Sequence, residues 1–205
     1  FNATDNSLDC IEVNEEDVDW ATENWTYENG NIDEGVTFVS GCVPEGYTYV
    51  PDDNFEQALI DIGYDYVIDD YVLTDSINSV NSLNVNSSEI SDLTGIEDFS
   101  SLTYLSCDNN NLISLDLSSN TALTYLQCEG NQLSYLSMKN GITDALTNFN
   151  ATDNSLICIE VNAEDVDYAT ENWTYENGNI DEGVEFSMVC ALEGYTYVPD
   201  NNFEQ

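Results

Sequence analysis

The sequence predicts a mostly β solenoid of short parallel strands, and three features of the chain lead there. Residues 102–117 (LTYLSCDNNNLISLDL), 123–138 (LTYLQCEGNQLSYLSM) and 146–161 (LTNFNATDNSLICIEV) align position for position. A looser copy at 80–95 (VNSLNVNSSEISDLTG) precedes them, so the spacings are 22, 21 and 23 residues. Within the copies Leu105 and Cys107, Leu126 and Cys128, and Phe149 and Ala151 stand two apart, which gives each turn a short strand with one face inward. Asn110, Asn131 and Asn154 recur at one position, where stacked amides can satisfy the backbone as each strand turns away.

Turns of 21–23 residues that carry LxxLxLxxNxL fall in the range of leucine-rich repeats. One such turn cannot bury its own apolar face, so the fold needs neighbouring turns and caps. The second half of each turn alternates as well, through Leu115 and Leu117, Leu136 and Met138, and Ile159 and Val161. That predicts a second extended segment on the opposite wall rather than a helix, because no ten-residue helical pattern fits within a turn. Before the turns, VPDDNFEQALIDIG (50–63) offers Asp52 or Asp53 as N-cap, apolar Phe55, Leu59 and Ile62 at near-helical spacing, and Gly63 as a stop. It reads as an N-terminal capping helix, from which DYVIDDYVLTDSI leads into the first strand. After the last turn, EDVDYATENW (164–173) is at most a short helix, and VEFSMVC (184–190) reads as a closing strand.

A longer period encloses the short one. Residues 1–57 return at 149–205, an offset of 149 − 1 = 148, with ten differences over the 57 aligned positions. The chain therefore reads as a window on a tandem array. Residues 1–42 are the last turn and C-terminal cap of one module, 43–48 a linker, and 49–190 a complete module. Residues 191–196 form the next linker, and 197–205 begin the following N-terminal cap. Linkers this short keep successive modules close, so the array is expected to be a semi-rigid rod.

Composition removes many functions. Among 205 residues, 41 are Asp or Glu, one is Lys or Arg and none is His, for a net charge of −40. Such a surface repels phosphate backbones and anionic headgroups, so nucleic acid and membrane surfaces are not expected partners. Without His or Arg there is no His-based triad, His-ligated metal or Arg phosphate clamp. Apolar residues still make up 41% of the chain, enough for a core. No apolar run approaches the roughly 18 residues a membrane helix needs.

The order YVPDDNFEQALIDIGYD, then ISDLTGIEDFSSLTYLSCDNNNL, then LICIEVNAEDVDYATENWT…EFSMVC resembles the leucine-rich-repeat modules of secreted Bacteroidota surface proteins. These commonly open with a VPDxNFEQALI helix and close with a CIxV…W…C cap. The resemblance spans the whole chain. It implies export, often by the type IX system, and an extracellular or cell-surface life as part of a very large adhesin-like protein, as in gliding or predatory marine species.

Several residues are candidates for bonds or binding. Cys10 and Cys42 are 32 positions apart, as are Cys158 and Cys190, and each pair spans one cap. Disulfides there would contribute roughly 3–4 kcal/mol in the chain-entropy account and need an oxidising compartment; buried thiols are the alternative. Cys107 and Cys128 sit at one ladder position on adjacent turns, where in-register side chains suit a bridge poorly, so free buried thiols are expected. Acidic residues crowd at Glu15, Glu16, Asp17 and Asp19, at Asp33 and Glu34, and at Asp61, Asp65, Asp69 and Asp70. Asp65, Asp69 and Asp70, between the cap helix and the first strand, are the expected calcium ligands, against the alternative of a solvated acidic surface.

Tyr104, Ser106, Asp108, Tyr125, Gln127 and Glu129 should face outward as a strip that binds a glycan or protein. Asp108 and Glu129 are paired carboxylates, but nothing in the sequence suggests a pocket or an asymmetry between them, so no enzyme is expected. NAT and NWT match glycosylation sequons, and Asp75-Ser76-Ile77 resembles a short O-glycosylation motif of Bacteroidota. The leading expectation is a structural module of an extracellular filament, whose partners are neighbouring copies and whose task is surface attachment or prey capture. The second is a recognition module that uses the strip.

Overall fold

The computed structural model describes residues 1–190 apart from 6, 7, 9, 40, 41 and 142. The linker expected over 191–196 and the cap expected over 197–205 lie outside the described residues. The chain divides into two compact units between Glu45 and Gly46.

In the first unit, β1 (Cys10–Glu12) is followed by the short helix α1 (Val18–Asn24) and by β2 (Thr37–Val39), which pairs parallel with β1. Ala21, Ile32, Val36 and Phe38 form its small core, and Cys10 is disulfide-bonded to Cys42.

The second unit opens with β3 (Tyr47–Tyr49), helix α2 (Asp53–Asp61), β4 (Tyr71–Leu73) and the single-turn helix α3 (Thr74–Ile77). β3 and β4 pair antiparallel, so Tyr47 and Thr48 belong to a paired strand rather than to a linker over 43–48. Thr48 is buried, and its hydroxyl bonds Asp98 Oδ2 at 2.6 Å and Thr74 Oγ1 at 2.9 Å. A polar residue facing inward in a three-residue strand leaves no apolar alternation to read.

Asp52 caps α2 and does more. Its Oδ1 accepts the N–H groups of Asn54 and Phe55 at 3.0 and 2.9 Å, as an N-cap should. Its Oδ2 accepts the Ser91 N–H, the Ser91 hydroxyl and the Asp92 N–H at 2.8, 2.6 and 3.1 Å. One carboxylate thus ties the helix to the first solenoid turn. Burial alone would raise its pKa, but the bonds from Ser91, Phe55 and Asp92 outweigh it and hold the group below its ordinary value. Phe55 and Leu59 are fully buried in the solenoid core, whereas Ile62, at the helix end, stays exposed.

The turns follow through β5 (Ser82–Asn84), β6 (Tyr104–Ser106), β7 (Ser114–Asp116), β8 (Tyr125–Gln127), β9 (Tyr135–Met138), β10 (Asn148–Asn150) and β11 (Cys158–Val161). Helix α4 (Val166–Asn172) and β12 (Glu185–Ser187) close the unit. One sheet has the order β10-β8-β6-β5, the other β12-β11-β9-β7, and every pairing in both is parallel. Leu83, Leu105, Leu126 and Phe149 lie in register across the first sheet, and Leu115 and Leu136 across the second. The two walls share one core. At the far end Trp173 packs on Phe149 with ring centroids 4.2 Å apart and on Phe186 at 5.8 Å, and Cys158 is disulfide-bonded to Cys190. Cys107 and Cys128 are free and buried, and burial pushes both thiols up.

Between the walls the chain must turn a buried corner, and the three asparagines serve it. Asn131 Nδ2 donates to the Cys107 and Cys128 carbonyls, both at 3.0 Å, while its Oδ1 accepts the Leu112 N–H at 3.1 Å. Asn110 reaches the Val85 and Cys107 carbonyls at 2.9 Å and the Ser88 and Ile90 N–H groups at 2.9 and 3.0 Å. Asn154 joins the Cys128 and Ala151 carbonyls and the Leu133 N–H, each at 3.0 Å. The carbonyls of Cys107 and Cys128 each accept from two rungs, so the ladder is continuous. The residue before each rung is left-handed, with φ of 55° at Asn109, 67° at Gly130 and 55° at Asp153, and Ser87, at the aligned position of the looser first copy, has φ 53°. A Cβ at Gly130 would stand 2.8 Å from Asn109 Oδ1, so that exposed side chain would have to shift.

Removing Asn131 leaves the buried Leu112 N–H without a partner and takes one of two donors from each of the Cys107 and Cys128 carbonyls, at a cost of about 1–3 kcal/mol. Urea melts of Asn131→Ala should show that loss; a change below about 1 kcal/mol would mean the ladder is not what holds the corner.

Candidate functional site

The outer face of the first sheet brings most of the expected strip together. Tyr104 and Tyr125 are partners in register on β6 and β8, and their half-exposed rings stack with centroids 4.3 Å apart and an interplanar angle of 18°. Parallel in-register strands place like residues about 4.8 Å apart, which is a natural distance for such a stack. Gln127 and Glu129 are half-exposed in the rows beyond.

Ser106 and Asp108 do not face solvent as expected. Both are buried: the Ser106 hydroxyl donates to Asp108 Oδ1 at 2.5 Å, and Asn109 Nδ2 donates to Asp108 Oδ2 at 2.8 Å. Serine is shorter than the in-register Gln127 beside it, and the aspartate folds back to satisfy it. Two further residues extend the face. Asn148 and Asn150 on β10 stand in register with Tyr125 and Gln127, and Asn148 is exposed. The alignment that picks out Tyr104 and Tyr125 also gives Asn148, but an asparagine in that row does not advertise itself as an aromatic does.

The sequence offers no asymmetry between Asp108 and Glu129, and the structure supplies one. Burial, with the charges of Asp108 and Asp153, raises the Glu129 carboxyl above its ordinary value, opposed by its own backbone N–H. Glu129 Oε2 is buried with no hydrogen-bond partner among the described residues. Glu129 thus carries a buried, unpaired oxygen on an otherwise half-exposed side chain. The chain's single cation is not nearby to serve it, because Lys139 Nζ lies 2.7 Å from Glu160 Oε2. Glu160 also accepts the Cys190 N–H at 2.9 Å; burial would raise its pKa, but Lys139 and Cys190 outweigh this and lower it.

The acidic loop before β4 is organised differently from the expected calcium site. Asp70 meets Asp53 and Glu56, whose ligand atoms lie within 4.8 Å of one another, while Asp65 and Asp69 stay outside the group. Glu56 is fully buried, and its oxygens accept the N–H groups of Asp69, Asp70 and Tyr71 at 3.0, 3.1 and 3.2 Å. Burial raises its carboxyl, opposed by those donors. This glutamate anchors the loop, and a helix residue thirteen positions away from Asp69 carries no signal of that role in the sequence. Asp75, Ser76 and Ile77 lie within α3.

No family model matches the chain. Internalin J of Listeria monocytogenes serotype 4b (strain F2365) is 37% identical over 85 residues, which is 42% of this chain and 9% of that protein. The chain thus spans about a tenth of the length of the curated relative it matches. Among solved structures, the functional domain of InlJ from Listeria monocytogenes, described as including a cysteine ladder, is 35% identical with a TM-score of 0.45, covering 54% of this chain and 25% of that one. An internalin, inlF, from Listeria monocytogenes str. 4b F2365 is 17% identical with a TM-score of 0.45, covering 56% and 37%. This chain carries a leucine-rich-repeat module similar to part of Internalin J.

A carboxyl whose folded pKa is raised favours the fold below its unfolded value and loses that contribution as pH rises through the folded value. Glu129→Gln removes this cost, so the variant should melt above the parent at pH 7 and converge with it below about pH 4. A variant that melts lower at pH 7 would mean the Glu129 carboxylate is stabilised instead.

Proposed function

We propose that the chain is a repeated recognition module of an extracellular, surface-displayed bacterial protein, and that it binds a protein or glycan through the outer face of its first sheet. The Tyr104–Tyr125 stack carries this reading. Two parallel rings on rigid strands present an apolar plane at little entropic cost, and Gln127, Asn148 and Glu129 surround it with amides and a half-exposed carboxylate. The arrangement suits binding better than catalysis. The two disulfides fit an oxidising, extracellular setting. Among the described residues no helix is long and apolar enough to cross a membrane.

A second reading, a shaft module of a giant adhesin or filament of the Bacteroidota kind, is favoured by the ten differences in 57 repeated positions. Near-identical modules would offer the same lateral contacts to neighbouring copies at every register. Calcium also remains a proposal, with Asp70 the one residue of the expected set that has carboxylate neighbours. At equal ionic strength, a melting temperature raised by calcium but not by sodium supports a bound ion; equal rises mean screening alone.

Binding of the chain to intact cells and to glycan arrays tests the recognition reading. Tyr104→Ala with Tyr125→Ala should weaken it by about tenfold or more with little change in stability, since neither ring is in the core. If the double variant binds like the parent, and the chain self-associates as concentration rises, the shaft reading stands in its place.

A further inference from the structure

Each closing cap carries the same cleft. In the second unit it encloses about 590 Å³, with Trp173, Ile180, Val184 and Phe186 along its floor. In the first unit the residues 148 positions earlier, Trp25, Ile32, Val36 and Phe38, line a cleft of about 370 Å³. Of the ten positions at which the two copies differ, one lies on these linings: Thr37 in the first copy is Glu185 in the second. The larger cleft is within the size range of ligand pockets.

A protein interior ordinarily closes such space with its own side chains. Here Val184 and Phe186 stay half-buried, and Tyr175 at the rim is 56% exposed, the same figure as Tyr27 in the other copy. Glu176, Glu182 and Glu185 are exposed on the lining of the second cleft. The chain's one lysine is held by Glu160, so nothing cationic within the chain is available to these carboxylates. β12, which contributes Glu185 and Phe186 to the cleft, is the end strand of its sheet and pairs, among the described residues, with β11 alone. An end strand beside an apolar cleft is the arrangement on which extended peptides add, giving backbone bonds along the edge and a side chain to the pocket.

We propose that the cap cleft is a second binding site, separate from the sheet face, for an extended basic peptide segment of a partner protein. An aromatic or branched aliphatic side chain lies on the Trp173–Phe186 floor, and the lysines or arginines beside it meet Glu176, Glu182 and Glu185. The apolar floor supplies the selectivity, because a chain of net charge −40 attracts any polycation diffusely.

Three capped peptides test this on the full chain at physiological salt, read by calorimetry and by the emission of the floor tryptophans. The first has one phenylalanine flanked by lysines, the second has glycine in place of that phenylalanine, and the third has glutamates in place of the lysines. The first should bind about tenfold or more tighter than either of the others. Thr22→Trp with Thr170→Trp, which fills both clefts, should remove the advantage of phenylalanine over glycine. Glu185→Thr installs the residue that the first cap already tolerates at position 37, so it keeps the fold; it should weaken the first peptide by about threefold and flatten its salt dependence. Equal affinity for the phenylalanine and glycine peptides would overturn the proposal, leaving only diffuse attraction. So would binding of the first peptide that neither the filled-cleft variant nor Glu185→Thr changes.

Discussion

The structure depends on what happens to backbone polar groups where a solenoid turns its corner. A strand three residues long pairs its N–H and C=O groups with the turns above and below, but the segment leaving it enters the core with groups that no sheet can reach. Buried and unpaired, each would cost on the order of 1–3 kcal/mol. An asparagine side chain has two donors and an acceptor in one plane, and it fills the gap between consecutive turns. Asn110, Asn131 and Asn154 do this three times over. At the end of the row the task passes to Asp181, which accepts the Asp153 and Asn154 N–H groups at 2.9 Å, because a carboxylate can accept two N–H groups where no further turn needs a donor.

The ladder fixes register, and register makes the candidate face. Once Leu105 lies opposite Leu126, Tyr104 lies opposite Tyr125, and the outward rows become columns of like position. Asp108 is engaged by Ser106 and Asn109, whereas Glu129 keeps a buried, unpaired oxygen. Asp52 and Glu56 play matching roles at the N-terminal end. One carboxylate fastens α2 to the first turn, and the other holds the loop that follows it. Several carboxylates of this module are therefore structural, engaged by backbone N–H groups in a chain with almost no cations.

What was legible in the sequence was whatever repeats. The 21–23-residue period, the inward leucines, the asparagine ladder and the second wall through Leu115 and Leu136 all follow from aligned copies. Each needs only the local rule that residues two apart share a strand face. The parts outside the 21–23-residue turns were harder. β3 turns a threonine inward to meet Asp98, a contact fifty residues away, and Glu56 reaches a loop that no spacing links to it. On the face itself, the rows were readable but the burial of Ser106 and Asp108 was not, because it comes from a side-chain bond within the strip rather than from periodicity.

Hydrogen exchange under native conditions addresses the ladder most directly, because some backbone amides in the turns, Leu112 and Leu133 among them, donate to side chains rather than to a sheet. Leu112 and Leu133 give their N–H groups to Asn131 and Asn154, whereas Cys107 and Cys128 give theirs to the Gln127 and Asn150 carbonyls of the next strand. If the side-chain ladder is as much a part of the fold as the sheet, all four amides exchange only with unfolding of the whole unit. Exchange of Leu112 and Leu133 by local opening, while Cys107 and Cys128 stay protected, would show that the sheets hold the solenoid and the asparagines merely decorate its corner.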